Sequence, residues 1–367
     1  MAALDSVVLA GGGTGGHIYP LLAFADCLRR HDPDVRITCI GTPSGMEKDI
    51  IPKHGYELRN VPAYQLPRSI NMNLVRTPDR MWKAARATRK ILDDVGAQAV
   101  VGFGGFVSVP AYLAAWRREI PTVIHEVNVP PGVANRMGMR LGQHIVLGFP
   151  HQAEQIPSLR NAPVVGVPLR QSITSLDRAA RRAEARAHFG LDPDRPTLFV
   201  FGASSGARSI NNAVAGAAKQ IANAGVQVLH VIGARNEDFE VPSDLPVPYR
   251  KIKFLGEMEL GYAAGDLALC RGGAITCAET AAVGMPAIYV PLPWGNGEQR
   301  RNALPVVHKG GGLMVEDSEL TPEWLVNTAV PLVRDAARLA AMSAAAASYG
   351  RRDGDEALRR YLLKVVG

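Results

Sequence analysis

The stretch that decides the fold is Val7-Val8-Leu9-Ala10-Gly11-Gly12-Gly13-Thr14-Gly15-Gly16-His17. A short apolar run followed at once by glycines is typical of a buried strand that ends in a tight turn. Apolar residues then recur at helical spacing and predict a helix directly after the turn: Leu21, Leu22, Ala25 and Leu28. Glycines lack Cβ, so successive backbone N–H groups can close around an anion at the positive helix N-terminus. The loop is therefore a candidate diphosphate cradle.

The same loop also fits the pattern Gly-x-Gly-x-x-Gly, so a dinucleotide-binding oxidoreductase is an alternative. That class of protein needs an acidic residue at the end of the second strand, where it binds the ribose. The second predicted strand ends instead at Cys39-Ile40-Gly41-Thr42, and Glu47 lies well beyond it. The dinucleotide-binding interpretation loses support at this point.

Short β-branched runs alternate with helical stretches along the chain. One series lies at residues 7–10, 35–40, 99–101, 122–125 and 145–147, and a second at 197–201, 226–232, 249–255, 266–270, 287–290 and 313–315. The alternation predicts an α/β protein, and the restart predicts two Rossmann-like, doubly wound parallel-sheet domains. We place them at residues 1–165 and 166–345, with a hinge near Gly166. Residues 346–367 are predicted to contain a C-terminal helix that returns to the first domain.

The composition excludes several classes of protein. With 47% hydrophobic and 20% charged residues, the chain resembles an ordinary soluble protein. The four cysteines lie in apolar stretches without CxxC spacing, which predicts neither a zinc site nor disulfides. The start of the sequence lacks the basic and apolar regions of a signal peptide, so export is not predicted. Residues 97–116 carry no charge and are long enough to cross a bilayer, but glycines and Pro110 interrupt them, which predicts strand, loop and helix.

Further glycine loops follow predicted strands at residues 102–110, 202–208 and 270–279. Any one of them is also typical of a packing turn, but their common place at the carboxyl ends of strands favours phosphate binding. In the last loop Thr276 lies near the start of a predicted helix and Glu279 in its first turns. A carboxylate there can bind a ribose diol, and the alternative is a favourable charge near a helix N-terminus. Residues 291–302 add polar groups able to bind sugar hydroxyls: Glu298, Gln299 and Asn302.

The formal net charge of +7 is concentrated in the first half of the chain. Basic residues are interleaved there with Leu74, Met81 and Trp82: Arg68, Arg76, Arg80, Lys83, Arg86, Arg89 and Lys90. Such a mixture suits an anionic surface, and a solvated helix face is the alternative. Two Asp-Pro-Asp triplets, at 32–34 and 192–194, have the spacing of a metal-binding carboxylate pair. Both precede predicted strands in turn-like surroundings, so no metal site is predicted.

Taken together, these motifs resemble the MurG family, a group of GT-B glycosyltransferases in family 28, over nearly the full length. The likeness rests on residues 12–17, Gly41-Thr42 with Met46-Glu47, residues 52–55, 102–110, 125–128, 166–170 and 270–279. It implies an enzyme, a UDP-N-acetylglucosamine-dependent hexosyltransferase. The family transfers N-acetylglucosamine, with inversion, to the muramyl sugar of an undecaprenyl-diphosphate-linked muramyl-pentapeptide in peptidoglycan synthesis. It also implies acceptor binding by the first domain, donor binding mainly by the second, and catalysis between them.

The resemblance carries specific roles onto residues of this chain. His17 is the candidate general base, and a structural histidine is the alternative. The donor-binding residues are Thr14, Gly15, Gly16, Asn128, Arg170, Ser204, Leu255, Ala274, Ile275, Thr276, Cys277, Ala278, Glu279, Glu298 and Gln299. The acceptor diphosphate is assigned to Gly13, Thr14, Gly15, Gly104 and Gly105, and the membrane patch to Arg80, Trp82, Lys83 and Arg86. No cofactor, metal or nucleic-acid partner is implied. The implied location is the cytoplasmic face of the bacterial cell membrane, as a peripheral protein alongside the cell-wall synthesis machinery that serves cell shape and division.

The chain departs from the family pattern at several positions: Phe106, Val127, Ala203, Ser205, Gly272 and Glu298. These departures concern the finer donor contacts and leave the nucleotide-binding scaffold in place. Two other functions stay open beside the main prediction. One is a GT-B transferase with another lipid or a small-molecule acceptor, and the other is a nucleotide-binding module without catalysis.

Overall fold

The computed structural model describes residues 4–62, 77–202, 206–234, 236 and 239–367, and within 77–80 only the backbone. The chain forms two compact units, the first made of Met1–Arg170 with Asp353–Gly367 and the second of Gln171–Arg352. Each unit contains one six-stranded, all-parallel sheet with helices. The predicted fold class, two doubly wound α/β domains, is confirmed. The first division falls after Arg170, whereas the sequence placed it after Val165.

The first unit has the strand order β3-β2-β1-β4-β5-β6. Its strands are β1 (Ser6–Gly11), β2 (Arg36–Gly41), β3 (Glu57–Asn60), β4 (Ala99–Gly104), β5 (Thr122–Glu126) and β6 (His144–Leu147). Its helices are α1 (Gly15–His31), α2 (Glu47–Lys53), α3 (Thr77–Asp94), α4 (Ser108–Arg117), α5 (Val133–Arg140) and α6 (Pro150–Gln155), with a 3-10 turn at Pro157–Leu159. The last helix of the chain, α17 (Gly354–Val366), also belongs to this unit.

Strand β1 shows why the first sheet is buried on both faces. Val7 and Leu9 pack into one hydrophobic core, which also contains Leu21 and Phe24 of α1. The alternate residues Val8 and Ala10 pack into the opposite core, which includes part of α4. Side chains alternate across a strand, so a continuous apolar run is what a sheet covered by helices on both sides requires.

The second unit repeats the same strand order as β12-β11-β10-β7-β8-β9. Its strands are β7 (Thr197–Phe201), β8 (Gln227–Val231), β9 (Tyr249–Ile252), β10 (Leu267–Cys270), β11 (Ala287–Tyr289) and β12 (Gly312–Met314). Its helices are α7 (Gln171–Thr174), α8 (Arg178–His188), α9 (Arg208–Gly216), α10 (Ala218–Asn223), α11 (Met258–Ala264), α12 (Ala274–Ala282), α13 (Glu298–His308), α14 (Pro322–Trp324), α15 (Val330–Arg334) and α16 (Ala336–Tyr349), with a π-helical turn at Leu325–Ala329.

Helix α17 completes the core of the first unit. Leu358 and Leu362 are fully buried in the same core as α1. The guanidinium of Arg30 donates to Asp355 at 2.7 Å, and Nε2 of His31 lies 2.8 Å from Glu356. Gly354 lies against the backbone of Val167, where an added Cβ would come within 2.4 Å of the carbonyl oxygen.

Residues 97–116 form strand, loop and helix, as predicted, with β4 ending at Gly104 and α4 beginning at Ser108. Across the described parts of the chain, every helix is too short or too polar to span a bilayer.

Candidate functional site

The first two glycine loops lie side by side because their strands are neighbours. Strands β1 and β4 pair in parallel with Gly11 opposite Gly104, at the point where the strand order reverses. An added Cβ on Gly105 would lie 2.3 Å from the carbonyl oxygen of Gly12, so only glycine lets the loops come this close. In doubly wound sheets, ligands bind at the carboxyl ends of strands at this switch point. The structure thus brings together the residues assigned to the acceptor diphosphate.

A buried carboxylate holds the first loop in shape. Glu47 of α2 is 0% exposed and accepts the N–H of Gly13 at 2.9 Å. Its other oxygen accepts the N–H and the hydroxyl of Thr42 at 3.0 and 2.8 Å. Burial by itself favours protonation, but these hydrogen bonds outweigh it and hold the pKa of Glu47 below its ordinary value. The space for this side chain exists because Gly12, Gly41 and Gly45 carry no Cβ that would collide with it.

The contact with Glu47 limits which amides can bind an anion. Gly13 has a left-handed backbone conformation, with φ of 86°. Its N–H already donates to the carboxylate of Glu47, so it is not available to bind an anion. Thr14 precedes α1 without a side-chain cap, and the first turn of this helix contains no acidic residue. The first amides of a helix have no acceptor within the helix, so Gly15 and Gly16 offer a positive end for a phosphate.

His17 has a defined orientation in this loop. Its Nδ1 lies 2.7 Å from the carbonyl oxygen of Phe103. A carbonyl can only accept, so Nδ1 carries the proton and Nε2 has the lone pair when the ring is neutral. The ring is half-buried against Gly104, and burial lowers its pKa from the ordinary value despite the opposing effects of Phe103 and Glu47. The side chain is therefore neutral and oriented at neutral pH.

A second buried carboxylate organises the loop after β5. Glu126, 2% exposed, accepts the N–H groups of Val127, Asn128 and Gly132 at 2.7–2.8 Å and the amide of Asn135 at 3.0 Å. Burial raises the pKa of Glu126 although these hydrogen bonds oppose the shift. The buried carboxylate of Glu126 thus fixes the backbone of the loop that carries Asn128.

Two more features of the first unit support this loop region. His125 is buried with Nε2 2.8 Å from the carbonyl oxygen of Gly166, and burial lowers its pKa to about 4. The guanidinium of Arg170 lies 5.6 Å from the ring centroid of Tyr19, in the first turns of α1. Arg170 is thereby placed near the start of α1, beside the first glycine loop.

In the second unit, α12 presents a comparable uncapped N-terminus. Gly273 precedes the helix without a side-chain cap, and the first residues, Ala274 to Thr276, are half-buried. Gly272 lies under the start of α13, where an added Cβ would be 2.5 Å from the carbonyl oxygen of Gln299. Glycine at position 272 therefore permits a close approach between the turn before α12 and the first turn of α13. Cys277 is fully buried, and burial raises its thiol pKa, so only its backbone can contact a ligand.

Glu279 also lies on α12 and is 8% exposed. One of its oxygens accepts the hydroxyl of Tyr262 at 2.8 Å. Tyr262, on α11, is fully buried. A nearly buried glutamate whose carboxylate is positioned by a tyrosine hydroxyl is suited to accept hydrogen bonds from a diol.

A buried ion pair anchors the turn that precedes α12. Arg271, 5% exposed, pairs with Asp317 and donates to Ser209 of α9 at 2.9 Å. Ser209 in turn donates to Asp317 at 2.6 Å. The network joins the loop after β10, the first turn of α9 and the loop after β12. Sequence reasoning missed it because the three residues are far apart in the chain.

The other assigned donor residues are placed as follows. Leu255, after β9, is half-buried, Glu298 is exposed, and Gln299 accepts the N–H of Leu292 at 3.0 Å. Asn302 is 1% exposed and donates to the carbonyl of Gly272 at 3.4 Å, so it supports the turn. Ser204, with Ala203 and Ser205, lies outside the described residues.

Helix α3 carries the described part of the basic segment. Trp82 is 54% exposed, and the guanidinium of Arg86 lies 5.6 Å from its ring centroid. Lys83 is exposed as well. Towards the end of the helix, Arg89 and Lys90 form ion pairs with Asp93 and Asp94. The side chain of Arg80, and all of Arg68, Leu74 and Arg76, lie outside what the structure describes.

The two Asp-Pro-Asp triplets are turns. Asp32 accepts the N–H of Asp34 at 3.0 Å, and Asp192 accepts the N–H of Asp194 at 2.9 Å. Both carboxylates thus close local turns of the kind that aspartate favours before strands.

Comparison with known proteins identifies the family. The glycosyltransferase family 28 N-terminal domain matches residues 7–146, and the family 28 C-terminal domain matches residues 197–358. A relative in Nocardioides sp. is 53% identical over 98% of both chains. One in Streptomyces coelicolor is 52% identical over 96% of both chains. Both are named UDP-N-acetylglucosamine–N-acetylmuramyl-(pentapeptide) pyrophosphoryl-undecaprenol N-acetylglucosamine transferase.

Solved structures agree with this assignment. The crystal structure of Acinetobacter baumannii MurG matches with a TM-score of 0.77 and 25% identity, covering 98% of this chain and 99% of that one. The glycosyltransferase of kitacinnamycin matches over the full length of both chains with a TM-score of 0.71 and 15% identity, which shows the fold alone. The chain therefore belongs to glycosyltransferase family 28 and is a glycosyltransferase with the GT-B fold.

Proposed function

We propose that the protein transfers N-acetylglucosamine from UDP-N-acetylglucosamine to the muramyl sugar of an undecaprenyl-diphosphate-linked muramyl-pentapeptide. This is the step from lipid I to lipid II in peptidoglycan synthesis. The observation that carries the proposal is the 53% identity, over 98% of both chains, with a transferase of that name. The glycine loops of both units support it, because each is suited to bind a phosphate and donor and acceptor each contain a diphosphate.

On the donor side, the second unit supplies the groups that a UDP-sugar needs. The backbone of Leu255 would contact the uracil, and the carboxylate of Glu279 would accept from the ribose hydroxyls. The uncapped start of α12, from Ala274 onward, would face the sugar and phosphates, with Gln299 beside them. A nearly buried carboxylate at this position would reject analogues that lack the hydroxyls, because its oxygens would be left without hydrogen-bond partners. Ser204, Arg170 and Asn128 complete the proposed donor contacts.

On the acceptor side, the first unit supplies two adjacent glycine loops. The amides of Gly15 and Gly16 and the turn at Gly104 and Gly105 would bind the lipid diphosphate. Backbone N–H groups suit this role because they bind phosphate without adding a charge that must be neutralised when the ligand leaves. Glu47 keeps the first loop in this shape by occupying the N–H of Gly13.

The proposed chemistry is an in-line displacement with inversion at the anomeric carbon. The acceptor hydroxyl oxygen forms a bond to that carbon while the bond to the β-phosphate oxygen of UDP breaks. Nε2 of His17 takes the hydroxyl proton, a role that its tautomer permits because Nδ1 donates to Phe103. The leaving diphosphate gains negative charge, which Arg170 and the helix that follows Ser204 would stabilise. No step requires a metal ion.

We also propose that the protein works as a peripheral enzyme at the cytoplasmic face of the cell membrane. Support comes from α3, where exposed Trp82 stands beside Lys83 and Arg86. An aromatic ring with neighbouring cations suits the interface of an anionic bilayer. The same location would bring the enzyme to the cell-wall synthesis machinery that determines cell shape and division.

The test is turnover with UDP-N-acetylglucosamine and a soluble lipid I analogue in the presence of EDTA. UDP-glucose and UDP-N-acetylgalactosamine serve as controls for donor selectivity. We expect transfer that is selective for N-acetylglucosamine and resistant to EDTA. Donor binding without transfer to this analogue would contradict the proposal and favour another acceptor or a binding module.

A further inference from the structure

The contact between Tyr262 and Glu279 joins two helices that the sequence separates. The tyrosine hydroxyl donates to one carboxylate oxygen at 2.8 Å. Tyr262 is fully buried on α11, whereas Glu279 on α12 is 8% exposed. Fixing one oxygen of a carboxylate also fixes the direction of the other. A phenol held inside the protein therefore sets the angle at which Glu279 meets a ligand.

The surroundings of Tyr262 leave its ring little freedom. The ring packs edge-on against Phe199 and Phe201 of β7, with centroid distances of 5.8 and 5.9 Å. Its neighbour Gly261 lies so close to Phe199 that an added Cβ would come within 2.3 Å of the ring. Side chains in such packed cores stay in single rotamers. The hydroxyl is thus presented at one position.

Arg178 connects α11 and α12 through hydrogen bonds to backbone carbonyls at the ends of both helices. The guanidinium of this half-buried arginine, at the start of α8, donates to the carbonyl oxygens of Tyr262 in α11 and of Gly265 just after it, both at 2.9 Å. It also donates to the carbonyl of Gly284, just after α12, at 2.7 Å. A cation at two helix C-termini satisfies carbonyls that have no helical partner. The Arg178 guanidinium therefore helps to fix the position of α11, with Tyr262, relative to α12, with Glu279.

We propose that Tyr262 is a positioning residue that orients the Glu279 carboxylate toward the ribose 2′ and 3′ hydroxyls of the nucleotide. The inference rests on the proposed function, because it takes Glu279 as the ribose ligand. A glutamate side chain loses considerable rotamer freedom when it binds. Tyr262 removes that freedom before the ligand arrives, and pre-organisation of this kind improves affinity without adding a contact.

The experiment compares UDP with 2′,3′-dideoxy-UDP, which lacks both hydroxyls, by titration calorimetry on the full chain. The wild-type protein should prefer UDP. In Tyr262→Phe the Kd for UDP should rise about tenfold, the equivalent of about 1.4 kcal/mol, whereas that for the dideoxy compound should change less than about twofold. A merely structural role would weaken both ligands together, so the ratio of the two Kd values is the informative readout.

Tyr289→Phe is the matched control. Tyr289 is also a fully buried tyrosine of this unit, and its hydroxyl forms a 2.7 Å hydrogen bond with Thr280, the residue next to Glu279 on α12. The substitution deletes the same atom beside the same helix without touching the carboxylate. It should leave the preference for UDP at the wild-type ratio. An equal loss of preference in both variants would overturn the inference.

Further outcomes separate this inference from the proposed function. A wild-type protein that fails to bind UDP would overturn the proposed function and the inference with it. Wild-type preference for UDP that persists in Tyr262→Phe would overturn the inference alone. Urea titrations show whether Tyr262→Phe is folded. If it is not, Glu279→Gln is tested in its place, because this substitution keeps the side-chain volume. A preference for UDP that survives in Glu279→Gln would show that no oriented carboxylate reads the ribose.

Discussion

At the scale of single residues, the sequence indicates which side chains are candidates for function. It does not indicate their tautomers or their hydrogen-bond partners. His17 stands out at the end of the glycine loop, yet its tautomer depends on Phe103, in another loop of the same unit. The sequence marks Glu47 as an acid too far along the chain to bind a ribose and as part of a family motif, but it gives Glu47 no structural role. Its contact with Gly13 spans 34 positions, and no local pattern encodes such a contact.

Replacing His17 by Ala should lower kcat by about 10²- to 10⁴-fold, the usual effect of losing a general base. Donor affinity should stay within about twofold of the wild-type value. His54→Ala is the control, since its Nδ1 also lies near a backbone carbonyl, that of Ile50 at 2.9 Å, but on the surface. Steady-state kinetics and UDP titration measure both effects. A loss of affinity with unchanged kcat would indicate phosphate binding instead.

The pH dependence of kcat/KM provides a second test of His17. Burial lowers the pKa of His17 below its ordinary value, so the neutral, basic form persists to lower pH than in a free imidazole. Activity should therefore stay level as pH falls through about 6.5 and decline only below that. A profile measured with the acceptor analogue from pH 8 to pH 5 checks this. An acidic limb centred above about 7 would contradict the assignment.

Glu47→Gln should destabilise the protein by about 1.5–3 kcal/mol, because a neutral amide replaces a buried charge that accepts three hydrogen bonds. Since folding lowers the pKa of Glu47, its contribution is present above the unfolded pKa and is lost as pH falls through the folded pKa. The deficit seen in urea unfolding at pH 7 should therefore shrink at low pH. Glu57→Gln, on the exposed strand β3, is the control and should cost little.

At the scale of elements, the apolar strands were predicted well, and the errors have physical reasons. Strand β3 was missed because it is a short edge strand, Glu57-Leu58-Arg59-Asn60, that is mostly exposed and needs no apolar run. The other strand limits differ from prediction by a few residues. Near the end of the chain, α16 ends at Tyr349 and α17 begins at Gly354.

Helix α3 offers a prediction about membrane binding. Lys83→Gln with Arg86→Gln should weaken binding to vesicles of phosphatidylglycerol about 10- to 30-fold, because each cation near an anionic surface contributes about 1 kcal/mol. Arg89→Gln with Lys90→Gln removes the same charge from cations that pair with Asp93 and Asp94, so it should have a smaller effect. Cosedimentation at low salt measures both, with phosphatidylcholine as the neutral control. Equal binding by the wild type and both double variants would rule out the patch.

Helix α17 gives a prediction about packing. Alanine is a better helix former than glycine by up to about 1 kcal/mol, so Gly354→Ala on a free helix would be stabilising. Here the added Cβ would lie 2.4 Å from the carbonyl oxygen of Val167, a backbone atom that cannot move aside cheaply. We expect a net loss of stability in urea unfolding. Gly132→Ala, whose Cβ would meet nothing closer than 3.8 Å, is the control and should be nearly neutral. A stabilised Gly354→Ala protein would show that α17 packs less closely.

At the scale of the whole molecule, the repeat of β-branched runs predicts both sheets, and the glycine loops predict where phosphates bind. Such signals are local, because a strand, a turn and a helix N-terminus each occupy a few consecutive residues. The supporting contacts are not local. Arg271 with Asp317, Tyr262 with Glu279, and α17 with α1 join segments that only the folded chain brings together.

Ligand binding should protect the two units separately in hydrogen–deuterium exchange. UDP should slow exchange at the start of α12 and around Leu255, because those backbone amides would face the nucleotide. A short-chain prenyl diphosphate should slow exchange at Gly15 and Gly16 and around Gly104. Inorganic diphosphate is the control for anion binding without a lipid. Protection by UDP confined to the first unit would contradict the assignment of the donor.

The return of α17 has a consequence for how the protein is made. Leu358 and Leu362 belong to the core of the first unit, but the ribosome adds them only after the whole second unit. Until α17 has been made, the apolar face of α1 against which Leu358 and Leu362 pack stays uncovered, while the second unit can already fold. Such a face is a binding site for chaperones that hold unfinished chains. Translation must pass residue 362 before the first unit can close its core.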